Sequence, residues 1–203
     1  MRLDVQDLTI SRGDLVLAKA LSFALEGGGA LVVTGENGSG KSTLLRTIAG
    51  LHGADGGTVA LMIGDAPAPI PEHAHYLGHD NAMKADLTVR ENLQFWSGVL
   101  GEEEGEGDAF LGEAAEALGI ARLLDLPHGY LSAGQRRRTA LARLWVAPRP
   151  LWLLDEPMAA LDARSEAAVR DMIKAHRAEG GMVVAATHAP LGLEGAASLV
   201  MGE

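Results

Sequence analysis

The 203 residues include no cysteine and carry a formal charge of -10, with 47% hydrophobic and 22% charged positions. Such a chain folds around one substantial core, without disulfides, thiolate nucleophiles or thiolate metal sites. The acidic balance argues against a surface that coats nucleic acid, and no apolar run approaches the roughly 18 residues needed to span a bilayer.

The opening MRLDVQDLTI holds Asp4 and Asp7 and no apolar segment, so no secretory signal is expected. LDVQDLTI and LVLAKALSFAL alternate loosely and predict strands, and EGGG then introduces a short buried strand over Ala30 to Thr34. A helix is expected from Lys41 to about Ala49 and a strand over Thr58 to Ile63. APAPIP (66–71) is expected to be irregular, because its three prolines remove donors and fix the backbone. From Thr88 to about Leu126 apolar residues recur at helical spacing, and Thr88 to Glu91 matches a capping box. GEEEGEGD (101–108), within that region, reads as a solvated loop. Further helices are expected over Ser132 to Val146 and about Ala163 to Glu179. Strands follow at LWLLD, MVVAAT and Ser198 to Met201. Strands alternating with helices predict an α/β fold with a mostly parallel sheet.

VVTGENGSGKST contains Gly35-x4-Gly40-Lys41-Ser42 between an apolar strand and a helix. Gly35, Gly38 and Gly40 let the backbone curl so that successive N–H groups face phosphate oxygens. The helix start adds its own free donors. Lys41 would reach the β- and γ-phosphates, and the Ser42 hydroxyl would bind Mg²⁺. The candidate cradle is Gly35, Glu36, Asn37, Gly38, Ser39, Gly40, Lys41, Ser42 and Thr43, a site for a nucleoside triphosphate.

LWLLDEP ends an apolar strand in two acids, at the sheet end where ligands bind. Asp155 would hold Mg²⁺, and Glu156 would orient and deprotonate the attacking water. His188, just after MVVAAT, would reach the γ-phosphate as a neutral imidazole. His73, His75 and His79 form H-x-H-x3-H, which leaves a transition-metal site as an alternative to solvated or nucleotide-adjacent histidines. Trp96, Trp145 and Trp152 sit within apolar patterns, as core or partner-contact residues.

These motifs, together with LSAGQ at Leu131 to Gln135 and AALD at Ala159 to Asp162, resemble the nucleotide-binding subunits of ABC transporters in order and spacing along essentially the whole chain. LSAGQ separates that family from kinases and GTPases, and no NKxD guanine reader is present. Within the family, YLGH, the Ala133 of LSAGQ and RRRTALARLW before PLWLLDEP are similar to the subunits associated with haem handling in cytochrome c biogenesis.

The resemblance implies a P-loop fold over 1–203, with an N-terminal antiparallel β subdomain and a helical subdomain at about 88–146. It implies ATP and Mg²⁺ as ligands and hydrolysis as the activity. Two copies would close head to tail around two ATP molecules, with Ser132, Gly134 and Gln135 meeting the γ-phosphate held by the other copy. That γ-phosphate would answer the positive helix start at LSAGQ, whereas the three arginines that follow, about 100° apart, cannot all face it. Arg138 matches the family's recurring arginine, and Arg136 and Arg137 would serve the helical subdomain or solvent. The expected partners are a second ATPase subunit and integral membrane subunits at the cytoplasmic face of the inner membrane, with no direct contact to nucleic acid. Two alternatives remain: an exporter of another cargo, and a soluble ATPase acting on nucleic acid or the ribosome.

The chain departs from the family pattern twice. Arg12 stands where an adenine-stacking aromatic is usual, and its planar guanidinium could stack instead. His79 stands where a metal-contacting glutamine is usual, so the metal set would be Ser42, His79 and Asp155.

Overall fold

The computed structural model describes residues 1–100, 106–188 and 190–202. The chain divides into two units, the first comprising residues 1–78, 150–156 and 173–203, the second 79–149 and 157–172.

Two sheets build the first unit. Strands β1 (Arg2–Arg12), β2 (Leu15–Glu26), β4 (Gly56–Ile63) and β5 (Ala66–Ala68) form an antiparallel sheet in the order β2-β1-β4-β5. Strands β6 (Ala74–Leu77), β7 (Leu151–Asp155), β8 (Met182–Ala186), β3 (Ala30–Gly35) and β9 (Ala197–Met201) form a parallel sheet in that order. In β7 and β8 all five residues are buried, as expected for central parallel strands covered on both faces. β1 buries Leu3, Val5, Leu8 and Ile10. The three-residue step from Val5 to Leu8 keeps both inward because the register shifts there and Asp7 takes a φ of +48°. Helix α1 (Lys41–Ile48) touches β1, β3, β7 and β8, with Leu44, Leu45 and Ile48 fully buried in a core shared by both sheets.

APAPIP is more regular than its prolines suggest. Residues 66–68 form the edge strand β5, which pairs only with β4, so Pro67 can face its missing donor away from the ladder. Pro71 falls in the first turn of the short helix α2 (Ile70–His73), where a backbone N–H has no helical acceptor in any case.

In the second unit, α3 (Val89–Leu100), α4 (Glu106–Ala117) and α5 (Ala133–Val146) pack on one another around Leu93, Leu111, Ala114, Leu118, Ala140, Leu141 and Leu144. The expected capping box opens α3: Glu91 N donates to Thr88 Oγ1 at 3.1 Å, and Thr88 N donates to Glu91 Oε2 at 2.8 Å. Helix α4 begins at Glu106, inside the stretch read as a loop. Residues 101–105 of that stretch lie outside the described residues. Helix α6 (Ala163–Ala178) starts in the second unit and ends in the first. Asp162 caps it by accepting from Ser165 N at 2.8 Å, a bond that holds its carboxyl below the usual range.

Candidate functional site

The parallel register carries the carboxyl ends of β3, β7 and β8 to one edge of the sheet. A cavity of about 310 Å³ opens there. Asn37, Gly38, Gly40, Lys41, Ser42 and Thr43 supply its cradle side. Asp155 and Glu156 enter from the end of β7, and His188 from beyond β8.

The loop is shaped around its lysine. Lys41 is 7% exposed, and Nζ donates to the carbonyl oxygens of Gly35 at 2.8 Å and Glu36 at 2.9 Å. Two of its three ammonium donors thus hold the loop and one remains for a ligand. Gly40 is required on two counts. Its φ is +101°, and a Cβ there would stand 2.8 Å from the Cβ of Leu17. Ser39 Oγ is buried without a hydrogen-bond partner among the described residues, and so has bonding capacity for an oxygen-rich ligand in the loop.

The acids diverge because of the backbone between them. Asp155 is 5% exposed and closes the strand, whereas Glu156 takes a φ of +48°, uncommon for a residue with a side chain. Its N–H donates to Ala186 O at 2.8 Å, which ties the turn to β8. His188 Nε2 lies 2.8 Å from Asn37 Oδ1 and 3.7 Å from Glu156 Oε1, so one imidazole spans the phosphate loop and the acid. Ser42 Oγ and the Asp155 carboxylate are hard oxygen donors lining one cavity, a set that fits Mg²⁺.

His79 is exposed and belongs to the second unit. Of its two neighbours in the histidine pattern, His75 is buried on β6, while His73 ends α2 instead of preceding a strand face. No group of three His, Cys, Asp or Glu suited to a metal occurs among the described residues.

Ser132 is the N-cap of α5: its Oγ accepts from Gln135 N at 3.3 Å while Ser132 N donates to Gln135 Oε1 at 2.8 Å. The Gln135 side chain is therefore engaged in its own helix cap, and the Ser132 O–H is still available as a donor. Gly134 passes so close to residue 160 that a Cβ would stand 2.7 Å from Ala160 O. The three arginines fan out, as a 100° step per residue demands. Arg136 Nε donates to Leu131 O at 2.8 Å, Arg137 Nη1 to Asn81 Oδ1 at 3.2 Å, and Arg138 Nη1 to Leu118 O at 2.9 Å. Each thus braces its own unit's loops.

Trp152 is buried and stacks on His176 at 3.8 Å, and Trp96 lies under the Arg143 guanidinium at 4.5 Å, so both serve packing. Sequence reading missed Leu17, which lines the cavity from β2. A strand leucine carries no local signal of a ligand, so only the folded arrangement reveals it.

Residues 18–159 match the ABC transporter family. The chain belongs to that family. It is an ABC-type ATPase, a nucleotide-binding α/β protein, and such ATPases pair with one another and with membrane partners. A CcmA protein from Rhizobium meliloti, described as a cytochrome c biogenesis ATP-binding export protein, is 54% identical over 99% of this chain and 98% of its own. Its namesake from Agrobacterium fabrum is 51% identical over 99% and 95%. Among solved structures, an ATP-binding subunit of an ABC transporter superposes with a TM-score of 0.88 at 22% identity, covering 99% of this chain and 86% of that one. A putative ABC transporter ATP-binding protein from Pyrococcus furiosus gives 0.83 at 22% identity, over 98% and 97%. At that identity the two structures attest the fold. No helix among the described residues is long and apolar enough to cross a membrane.

Proposed function

We propose that this protein is the ATP-hydrolysing subunit of the haem export complex of cytochrome c biogenesis. The convergence of Lys41, Ser42, Asp155, Glu156 and His188 on one cavity carries the ATPase chemistry. The 54% identity to the Rhizobium meliloti CcmA protein, along nearly the whole of both chains, supports the assignment to that complex.

Lys41 and the loop N–H groups bind the phosphates, aided by the N-terminus of α1. Ser42 and Asp155 would hold Mg²⁺, which when bound screens the phosphate charge. Glu156 accepts the proton of the attacking water. His188 stands between Asn37 and Glu156, and there orients the acid toward the terminal phosphate. Ser132 and Gly134 complete the site of a second copy, donating from the N-terminus of α5 to its γ-phosphate. The resulting homodimer sits peripherally at the cytoplasmic face of the inner membrane, on CcmB- and CcmC-like integral subunits, and makes no direct contact with nucleic acid.

The test is Glu156→Gln, which removes the base and retains the shape. Turnover should fall by about 10²–10⁴-fold, and the variant should accumulate as an ATP-bound dimer on size-exclusion chromatography. Wild-type turnover together with a monomeric variant would sink the mechanism. Cells carrying only this variant should lack c-type cytochromes, and normal cytochrome content would remove the haem assignment.

A further inference from the structure

The phosphate loop is held from behind by a strand that takes no part in its chemistry. β9 is the edge of the parallel sheet and, among the described residues, pairs only with β3, in a register that sets Met201 against Gly35. Gly35 takes a φ of +138°, and a Cβ there would run into the Met201 carbonyl oxygen. The missing side chain thus lets β9 lie flat against the first residue of the loop. The Met201 side chain reaches the other end. Its Cε methyl lies 3.2 Å from the place a Gly40 Cβ would take, beside Leu17, which with Arg12 lines the cavity from the β1–β2 hairpin. Met201 is 4% exposed and belongs to the core that also holds Leu44 and Leu45 of α1. Gly202, at φ +94°, follows so close over the loop that a Cβ would stand 3.2 Å from the Cβ of Ser39.

Both of those glycines set the geometry of Lys41. Gly35 O accepts from Nζ at 2.8 Å, and Gly40 is the N-cap of α1, of which Lys41 is the first residue. Gly40 O accepts from Leu44 N at 2.8 Å, so a shift of Gly40 carries the first turn of the helix with it. Glycines give a loop freedom and little stiffness of their own, whereas a cradle of N–H groups binds more tightly when those groups are fixed beforehand. The stiffness therefore has to come from a neighbour, and one residue touches both ends. An unbranched thioether suits that reach, since it can follow an irregular gap. We propose that Met201 is a positioning residue for nucleotide binding, a role that rests on the nucleotide-site reading above: its carbonyl seats Gly35, its methyl seats Gly40, and together they set the span of the phosphate cradle and the place of Lys41.

The experiment compares Met201→Ala and Met201→Val with Leu61→Ala, a variant of the same core on β4. Met201→Val keeps a strand former and its carbonyl and removes the methyl that reaches Gly40. Calorimetric titration of the full chain with the Mg²⁺ complexes of ATP and inorganic tripolyphosphate should show both Met201 variants weakened by about threefold to thirtyfold. The loss should be the same for the two ligands, because the loop touches only phosphates. KM for ATP should rise by that factor with kcat within about twofold of wild type, as for a contact made equally in the ground and transition states. Leu61→Ala should lower the melting temperature and bind both ligands as wild type does. Should Met201→Ala not fold, Met201→Val decides alone. Unchanged affinity in the folded Met201 variants would overturn the proposal. So would a loss confined to ATP, a fall in kcat at constant KM, or an equal loss in Leu61→Ala, which would assign the effect to the core as a whole. Failure of wild type to bind either ligand would overturn the nucleotide site itself, whereas the other failures leave that site standing.

Discussion

His176 offers a measurable link between packing and pH. Its ring lies flat on buried Trp152, with centroids 3.8 Å apart and 7° between planes. Nε2 has no hydrogen-bond partner among the described residues. Burial lowers its pKa from 6.5 to about 4, against a smaller opposing effect of the Met182 and Pro150 backbone. The folded protein thus holds a neutral imidazole, and between these two values the unfolded chain binds more protons. That contribution is fully present above pH 6.5 and is lost as pH falls through the window toward about 4. From pH 7 to pH 5 the linkage amounts to about 2 kcal/mol. The perturbation is His176→Phe, which keeps a ring on Trp152 and cannot titrate. Urea unfolding of both proteins at pH 7 and pH 5 should show wild type losing about 2 kcal/mol more than the variant. Equal losses would refute the argument and assign the acid sensitivity to other groups.

Gly40→Ala should weaken nucleotide binding by about tenfold or more, since an L-residue at φ +101° is strained and its Cβ collides with Leu17; titration with ATP reads it. Gly134→Ala places a methyl 2.7 Å from Ala160 O at the start of α5, so ATPase activity should fall while ATP binding by the monomer stays unchanged. Asn92 is 2% exposed, receives the Lys84 N–H and donates to the carbonyls of Lys84, Leu87 and Thr88. Asn92→Ala leaves these groups unpaired and should cost about 2–4 kcal/mol of stability in a denaturant titration.

The amino-acid sequence by itself determined the local elements whose physics is short-range. The glycine spacing of the phosphate loop, the Thr88–Glu91 capping box and the apolar runs of β7 and β8 each act within a few residues, and each could be read directly. The three arginines after LSAGQ show where that stops. The 100° step per residue keeps the three from sharing one phosphate, but only the fold supplies their acceptors, carbonyls for Arg136 and Arg138 and an amide oxygen for Arg137. The prolines of 66–71 were misjudged because edge position and first-turn position depend on neighbours remote in sequence.

The site needed tertiary structure for a related reason. Asn37 and His188 are 151 positions apart, and their 2.8 Å contact exists only because β3 and β8 are parallel neighbours. Leu17 lines the cavity only because its strand brings it beside Gly40. Chemistry carried by residue type and spacing is legible along the chain; chemistry that depends on which side chains converge is decided by the order of strands in the sheet.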